Sequence, residues 1–163
     1  MSRNYDPYDV FSFEGRIRRR DWWLTCLLVN FTATASASIT GILFPDLALI
    51  FWIALNAIAT WVVLAASVKR AHDRNDSGAL PIISCTLGWL LAAAVILGAS
   101  TSGPTSTSAV LSWFLMALFF VNGLIGVWLL ISLGFLDGTP DTNQYGLSPK
   151  GVRAQNYRSP RAD

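Results

Sequence analysis

Four long stretches of the 163-residue chain contain no Asp, Glu, Lys, Arg or His, and they cover residues 22–44, 47–68, 80–100 and 109–136. A helix needs about 20 apolar residues to cross the hydrocarbon core of a bilayer, and each stretch reaches that length. Because backbone groups in lipid must be satisfied within the segment, we expect all four to be helices. The sequence therefore predicts an all-α, four-helix transmembrane bundle.

The composition agrees with a chain that is largely surrounded by lipid. Charged residues make up 13% of the sequence, well below the roughly 25% that is typical of soluble domains. The seven Trp residues also fit, because Trp favours membrane interfaces. The net charge of +2 gives no indication of a nucleic-acid partner, so the lipid bilayer is the first partner that we expect.

All twelve Lys and Arg residues lie outside the four stretches, on one side of the predicted bundle. They fall within residues 1–21, between the second and third stretches, and after the fourth. Because Lys and Arg are retained on the cytoplasmic side of a membrane, we predict that both termini are cytoplasmic. The even number of crossings places both termini on the same side, which agrees with the charges as an independent check.

The segments around the stretches differ in character. Residues 1–21 form a basic, amphipathic cytoplasmic segment before the transmembrane region 22–136. Residues 137–151 are rich in turn formers and predict a compact cytoplasmic segment, followed by a loose basic tail at 152–163. The first two stretches are joined by two residues, so we expect a tight hairpin in which Pro45 ends one helix and Asp46 caps the next.

Three asparagines, Asn30, Asn56 and Asn122, lie near the middle of predicted spans. An amide in hydrocarbon needs a partner, so one interpretation is hydrogen bonding between helices. A second interpretation is a polar site for a small solute or ion, as in a small transport or channel component. A single four-helix protomer is thin-walled for a pore, so that role requires a homo-oligomer. The spans carry no carboxylate or His, which disfavours a proton-coupled pump.

The first cytoplasmic segment mixes aromatic and cationic residues. Phe11, Phe13 and Trp22 flank a run of arginines that includes Arg16 and Arg19. This composition is typical of an interfacial segment, with aromatic rings at headgroup depth and Arg near lipid phosphates. It fits either an ordinary topology anchor or the specific binding of an anionic lipid headgroup.

The loop between the second and third stretches holds the single His of the chain, His72, beside Asp73 and near Ser77. A catalytic triad is disfavoured, because adjacent side chains point apart and no nucleophile-elbow motif is present. One His with nearby carboxylates is also a poor metal site, since zinc usually takes three or four protein ligands. We expect a structural role, in which Asp73 pairs with Arg70 or Arg74, with anion binding as the alternative. No metal or cofactor is expected.

Three short patterns, separated by apolar spans, together resemble a known bacterial family. In chain order they comprise Phe13, Gly15, Arg16, Arg19 and Trp22, then Arg70, His72, Asp73, Ser77 and Gly78, then Gly138, Asn143, Tyr145, Gly146 and Pro149. From about residue 11 to residue 151 the chain is similar to the family catalogued as domain of unknown function 805, the YhaH-like proteins. The resemblance implies a bacterial inner-membrane location and a four-helix fold, and it implies no established activity.

The predicted function is that of a non-enzymatic membrane protein whose cytoplasmic face binds anionic lipid headgroups or a protein partner. The candidate binding residues are Arg16, Arg19, Arg70, His72, Asp73, Ser77, Asn143 and Tyr145. The cations among them would supply charge, and the others would order the loops. The alternative is the oligomeric transport component that uses the mid-membrane asparagines. A membrane-embedded enzyme is the interpretation that we favour least.

Overall fold

The computed structural model describes residues 9–100 and 106–149, and its regular elements are helices. These are α1 (Arg19–Leu43), α2 (Ala48–Asp73), α3 (Ala79–Ser100) and α4 (Ser106–Gly134). The part of the chain described contains four helices long and apolar enough to cross a membrane, which confirms the predicted four-span, all-α fold. The predicted tail 152–163 and residues 1–8 of the predicted basic segment lie outside the described residues.

A short 3₁₀ turn, Pro45–Leu47, joins α1 to α2 and folds the two helices back against each other. The Leu47 N–H donates to the Phe44 carbonyl at 3.1 Å within this turn. The prediction that Asp46 caps α2 is wrong, because the N-cap position is Leu47 and no side chain caps it. The tighter 3₁₀ hydrogen bonds take the place of a capping side chain at this helix start.

The connection from α2 to α3 is a tight left-handed turn. Asn75 has a φ of 67°, and the Asp76 N–H donates to the Ala71 carbonyl at 3.0 Å, as in a Schellman C-cap. Gly78 follows with a φ of 71°, and a Cβ at this position would lie 2.8 Å from Val68 Cγ1. Glycine is therefore required here both for the backbone conformation and for space.

The helix α2 is central, because α1 packs along most of it and both α3 and α4 also contact it. A small apolar core forms where α1, α2 and α4 meet, and it contains Trp22, Ala66, Ala71 and Leu133. The Trp22 Nε1 donates to Ser67 Oγ at 3.1 Å, so the buried indole is satisfied. This core lies where α1 begins and where α2 and α4 end, and it supports the polar residues at that end.

Candidate functional site

The end of the bundle where α1 begins and α2 and α4 end carries most of the charge of the described chain. We call it the basic end and define it as residues 9–25, 66–79 and 129–149. All three sequence patterns lie there. Their residues are far apart in the sequence, so their proximity follows from the antiparallel arrangement of the helices.

At the centre of the basic end, the Asp73 carboxylate lies between two buried arginines. Arg16 Nε and Nη2 donate to Asp73 Oδ1 at 3.0 and 2.9 Å, and Arg70 Nη1 donates to Asp73 Oδ2. The exposed fractions are 3% for Arg16, 1% for Arg70 and 2% for Asp73. The predicted pairing of Asp73 with Arg70 is confirmed, and Arg16 is a second partner. Removing Asp73 would leave two buried guanidinium groups without a counter-charge.

The remaining contacts of Arg16 reach the chain that follows α4. Its Nη2 donates to the Thr139 carbonyl at 2.6 Å. Its Nη1 donates to the carbonyls of Asp141 at 2.8 Å and Gly146 at 3.2 Å. Arg16 precedes α1, Asp73 ends α2, and the three carbonyls follow α4, so this one side chain holds together three segments that are distant in the sequence.

Residues 137–149 dock closely on the last turn of α2. A Cβ on Gly138 would overlap the Asp73 carboxylate and lie 2.8 Å from the Asp73 carbonyl oxygen, so only glycine permits this approach. The Thr139 N–H and hydroxyl both donate to the Asp73 carbonyl, at 2.8 and 3.0 Å. Asn143 Nδ2 donates to the His72 carbonyl at 2.8 Å. The docking thus depends on main-chain acceptors of α2 as well as on the Asp73 carboxylate.

His72 links the N-terminal segment to the segment after α4. Its Nδ1 lies 3.2 Å from the Gly15 carbonyl, and a carbonyl accepts only from a protonated ring nitrogen. The imidazole stacks on the Tyr145 ring, with centroids 3.8 Å apart and planes 6° apart. The adjacent Asp73 carboxylate is bound by arginines rather than by the imidazole, so the geometry is that of a structural contact and not of a Ser-His-Asp relay.

Side chains of the basic end satisfy the carbonyl groups that α4 leaves open at its C-terminus. Arg74 donates to the Ser132 carbonyl at 3.0 Å. Arg70 donates to the carbonyls of Leu133, at 2.9 Å, and of Leu136. Trp23 donates to the Gly134 carbonyl at 3.0 Å and Arg19 to the Phe135 carbonyl at 2.8 Å. The last carbonyls of a helix have no partner within it, and cations there also interact favourably with the helix dipole. These side chains therefore cap the C-terminus of α4.

Two of the predicted site residues lie away from the buried cluster. Arg19 is half-exposed, and its Nη1 lies 3.8 Å from Asp137 Oδ1. Ser77 is exposed, and its hydroxyl oxygen accepts from the Ala79 N–H at 3.4 Å at the start of α3. Sequence reasoning did not single out Thr139. The nearby Gly138 in the third pattern was the available signal, since a glycine in such a pattern indicates a close approach.

The buried cluster is fully satisfied. Every buried side-chain nitrogen and oxygen within residues 9–100 and 106–149 has a hydrogen-bond partner. In the same ranges, no group of three or more His, Cys, Asp or Glu residues is arranged to hold a metal ion. The donors of Arg16 and Arg70 are engaged with Asp73 and with carbonyls, so the cluster acts as a brace between segments.

A groove of about 390 Å³ lies beside the cluster, between residues 9–18, α1 and α2. Its lining includes four cationic residues, two acidic residues and several apolar ones, namely Arg16, Arg18, Arg20, Lys69, Asp9, Asp21, Ile17, Val62 and Ala66. Lys69 Nζ donates to the Asp9 carbonyl, and Arg18 Nη2 donates to the Pro149 carbonyl at 2.6 Å. These contacts hold the groove wall to α2 on one side and to the segment after α4 on the other.

The three mid-membrane asparagines have different partners. Asn122 Oδ1 accepts from Ser84 Oγ at 3.0 Å, which is the predicted kind of bond between helices, here α4 and α3. Asn30 and Asn56 instead donate within their own helices, to the carbonyls of Cys26 at 2.7 Å and Trp52 at 2.8 Å. Asn30 and Asn56 both line a second cavity, of about 230 Å³, in the middle of the bundle.

The sequence is similar to a protein family and to two proteins of Escherichia coli K12. The family described as "Protein of unknown function (DUF805)" matches residues 10–147. "Uncharacterized protein YiiR" of Escherichia coli K12 is 32% identical over 146 residues, which cover 88% of this chain and 90% of that protein. "Inner membrane protein YhaI" of the same strain is 30% identical over 97 residues, which cover 56% of this chain and 78% of that protein. No solved structure matches the chain.

The relationship to an inner-membrane protein and the four apolar helices agree on a multi-pass protein of the inner membrane. The family match covers the first two patterns and the third pattern as far as Gly146, all of which meet at the basic end. The chain belongs to the DUF805 family.

Proposed function

We propose that this protein is a non-enzymatic inner-membrane protein that binds an anionic phospholipid headgroup at its basic end. The observation that carries the proposal is the 390 Å³ groove, which places arginine side chains next to an apolar surface. A phospholipid at the membrane interface offers the matching pair of surfaces, a phosphate group and an acyl chain. With four cationic and two acidic residues, the groove lining is net positive beside an apolar surface, which supports a headgroup site.

Arg18 and Arg20 are the residues best suited to the phosphate group. Both are exposed and both line the groove, and a guanidinium group can bind two phosphate oxygens at once. Arg20 Nε lies 3.6 Å from the Asp21 carboxylate in an exposed ion pair, which is weak enough for a phosphate to replace. Val62 and Ala66 on α2 would contact the glycerol and the first acyl carbons.

The buried cluster serves this site by fixing the segment that carries the two arginines. Arg16, two residues before Arg18, donates a hydrogen bond to Asp73. The Gly15 carbonyl is hydrogen-bonded to the His72 ring. We therefore assign Arg70, His72, Asp73, Asn143 and Tyr145 to positioning and not to ligand contact. Ser77 contacts the start of α3 and Arg19 contacts the end of α4, so we assign neither of them to ligand contact.

The proposal also includes an orientation. The basic end carries the Lys and Arg residues of the described chain, and these are retained on the cytoplasmic side. Both termini would then be cytoplasmic, and the groove would face the inner leaflet with its anionic lipids. A reporter enzyme that is active only after export, fused after Asp163, is expected to stay inactive. Activity of that fusion would reject the orientation.

The binding site is tested by measuring lipid retention. The full-length protein is purified in detergent, and bound phosphatidylglycerol and phosphatidylcholine are compared by native mass spectrometry. We expect about tenfold preference for phosphatidylglycerol. Arg20→Gln should lower the affinity by about fivefold, since one arginine near a membrane surface contributes about 1 kcal/mol. Arg18→Gln should have a similar or smaller effect, because Arg18 also donates to Pro149.

Arg19→Gln is the matched control, because Arg19 lies between the other two in the sequence but does not line the groove. Its affinity for phosphatidylglycerol is expected to equal that of the unmodified protein. Equal retention of the two lipids, or equal losses in all three variants, would reject the proposed site.

Transport is the second candidate function, because Asn30 and Asn56 line one cavity in the middle of the bundle. A pore would require a homo-oligomer, since one protomer is thin-walled. If the protein conducts small neutral solutes, proteoliposomes should swell in glycerol faster than empty vesicles. Asn56→Leu should abolish the difference. Equal swelling with and without the protein would reject conduction of such solutes.

A further inference from the structure

Two cavities in the membrane-spanning region adjoin each other. The 230 Å³ cavity is lined partly by polar residues, including Asn30, Asn56 and Ser84. A larger cavity, of about 450 Å³, lies next to it between α2 and α3. Both cavities are lined by Asn56, Thr60 and Cys85. The pair therefore forms one crevice with a polar half and an apolar half.

The polar half offers hydrogen-bond groups that the described chain leaves open. The Nδ2 atoms of Asn30 and Asn56 are each used by a carbonyl of the same helix. Their Oδ1 atoms accept no hydrogen bond from residues 9–100 or 106–149, and the Thr60 hydroxyl likewise makes none within those ranges. An amide oxygen without a donor is costly in hydrocarbon. The site therefore suits a ligand that can both donate and accept.

The apolar half suits a hydrocarbon chain. Its lining includes Trp52, Trp89, Ala92 and Ile96. Trp89 is 37% exposed and Ile96 is 50% exposed in the isolated chain, so this half opens sideways between α2 and α3. A molecule dissolved in the bilayer could enter without crossing the basic end.

The ligand must be uncharged. No Asp, Glu, Lys, Arg or His occurs within residues 47–68 or 80–98, which line most of the crevice. A charged side chain at this depth without a counter-charge costs about 3 kcal/mol. A hydroxyl group fits instead, because it can donate to an asparagine Oδ1 and accept from Thr60.

We propose that this crevice binds a neutral lipid alcohol, with its hydroxyl group at Asn56 and Thr60 and its hydrocarbon chain between α2 and α3. The juxtaposition of two open amide oxygens with an apolar groove that opens to the bilayer carries the proposal. The site is separate from the headgroup groove at the basic end, and it does not depend on that assignment.

The test compares two probes that differ in one group. Purified protein is titrated with 1,2-dioctanoylglycerol and with the acetate ester of the same molecule, which lacks the hydroxyl donor. Binding is followed by native mass spectrometry in a neutral detergent. The alcohol is expected to bind about tenfold more tightly, as the loss of one buried hydrogen bond with its unpaired partner implies. Equal affinities for the alcohol and the acetate would overturn the proposal without any variant.

Variants then locate the site. Asn56→Leu and Thr60→Val should each reduce the preference for the alcohol to within about twofold. Thr32→Val is the matched control for Thr60→Val, because the Thr32 hydroxyl donates within α1 and lines neither cavity. An unchanged preference in both test variants would overturn the assignment to this crevice. Displacement of the alcohol by an equal concentration of free glycerol would show a solute chamber instead.

Discussion

The basic end and the middle of the bundle are held together in different ways. At the basic end, Arg16, Arg70 and Asp73 are at least 97% buried and share their hydrogen bonds with three segments of the chain. In the middle, apolar side chains such as Phe31 lie on the outer surface with 73% exposure. A Cβ added at Gly126 would meet no atom within 4 Å.

The difference follows from the solvent at each place. Lipid is as apolar as Leu, so helix association in the middle has no hydrophobic driving force and depends on close packing and a few polar contacts. At the basic end the charged groups of Arg16, Arg70 and Asp73 are buried and must pair with one another, which makes their geometry specific. The open position of Gly126 in the middle and the buried ion cluster at one end therefore both follow from the surroundings of each region.

The largest loss of stability is expected for Asp73→Asn. The substitution keeps the shape of the side chain but leaves two buried guanidinium groups without a counter-charge. We expect the free energy of unfolding to fall by about 3–5 kcal/mol. Thermal unfolding in detergent micelles measures the change.

Asp137→Asn is the control for that loss, because Asp137 pairs with Arg19 at 3.8 Å and is exposed. An exposed ion pair contributes about 1 kcal/mol or less. If the two substitutions destabilise the protein equally, the contrast between the buried brace and its surroundings does not hold.

A smaller loss is expected for Gly138→Ala, because the new Cβ would overlap the Asp73 carboxylate. The segment after α4 must then move away from α2, at a cost of about 1–3 kcal/mol. Hydrogen exchange at the Thr139 amide, which donates to the Asp73 carbonyl, should become faster. Gly126→Ala is the matched substitution in an open position and should change stability by less than about 0.5 kcal/mol. Slow exchange at Thr139 in the Gly138 variant would contradict the close approach.

The smallest effect is expected for Tyr145→Leu, which removes the stack on His72 but leaves the arginine cluster intact. An aromatic pair contributes about 0.5–1.5 kcal/mol beyond its buried area, so the unfolding temperature should fall slightly. Leu147→Ala, at a position with 71% exposure, should leave it unchanged. A loss for Tyr145→Leu as large as that for Asp73→Asn would show that the stack, and not the ion cluster, holds the segment.

The sequence predicted the helices well because the signal is local. Twenty uncharged apolar residues form a helix in lipid whatever their neighbours are, and α2 and α3 fall where that argument places them. The sequence also predicted that Asp73 pairs with Arg70 or Arg74, and the structure shows Arg70, three residues away on α2, as the partner. The partner Arg16 could not be predicted in this way, because it is 57 positions away.

The wrong assignment of Asp46 as a cap has a physical reason as well. Several backbone conformations can begin a helix after a proline, and a 3₁₀ turn satisfies the same N–H groups without a side chain. The choice depends on how closely α1 and α2 pack, which no local pattern records. One interpretation of Asn30 and Asn56 was hydrogen bonding between helices. Both donate within their own helices instead, and no local pattern distinguishes the two outcomes.

The sequence by itself determined that this protein has four helices long and apolar enough to cross a membrane, with the cations kept outside the spans. Hydrophobic length and the cost of charge in lipid are properties of each segment, so they can be read without the fold. The tertiary structure alone decided that Arg16 and Arg70 are bound within the buried cluster while Arg18 and Arg20 stay exposed at the groove. That division depends on carbonyl groups of three distant segments coming within hydrogen-bond distance of one side chain, and such distances exist only once the helices have packed.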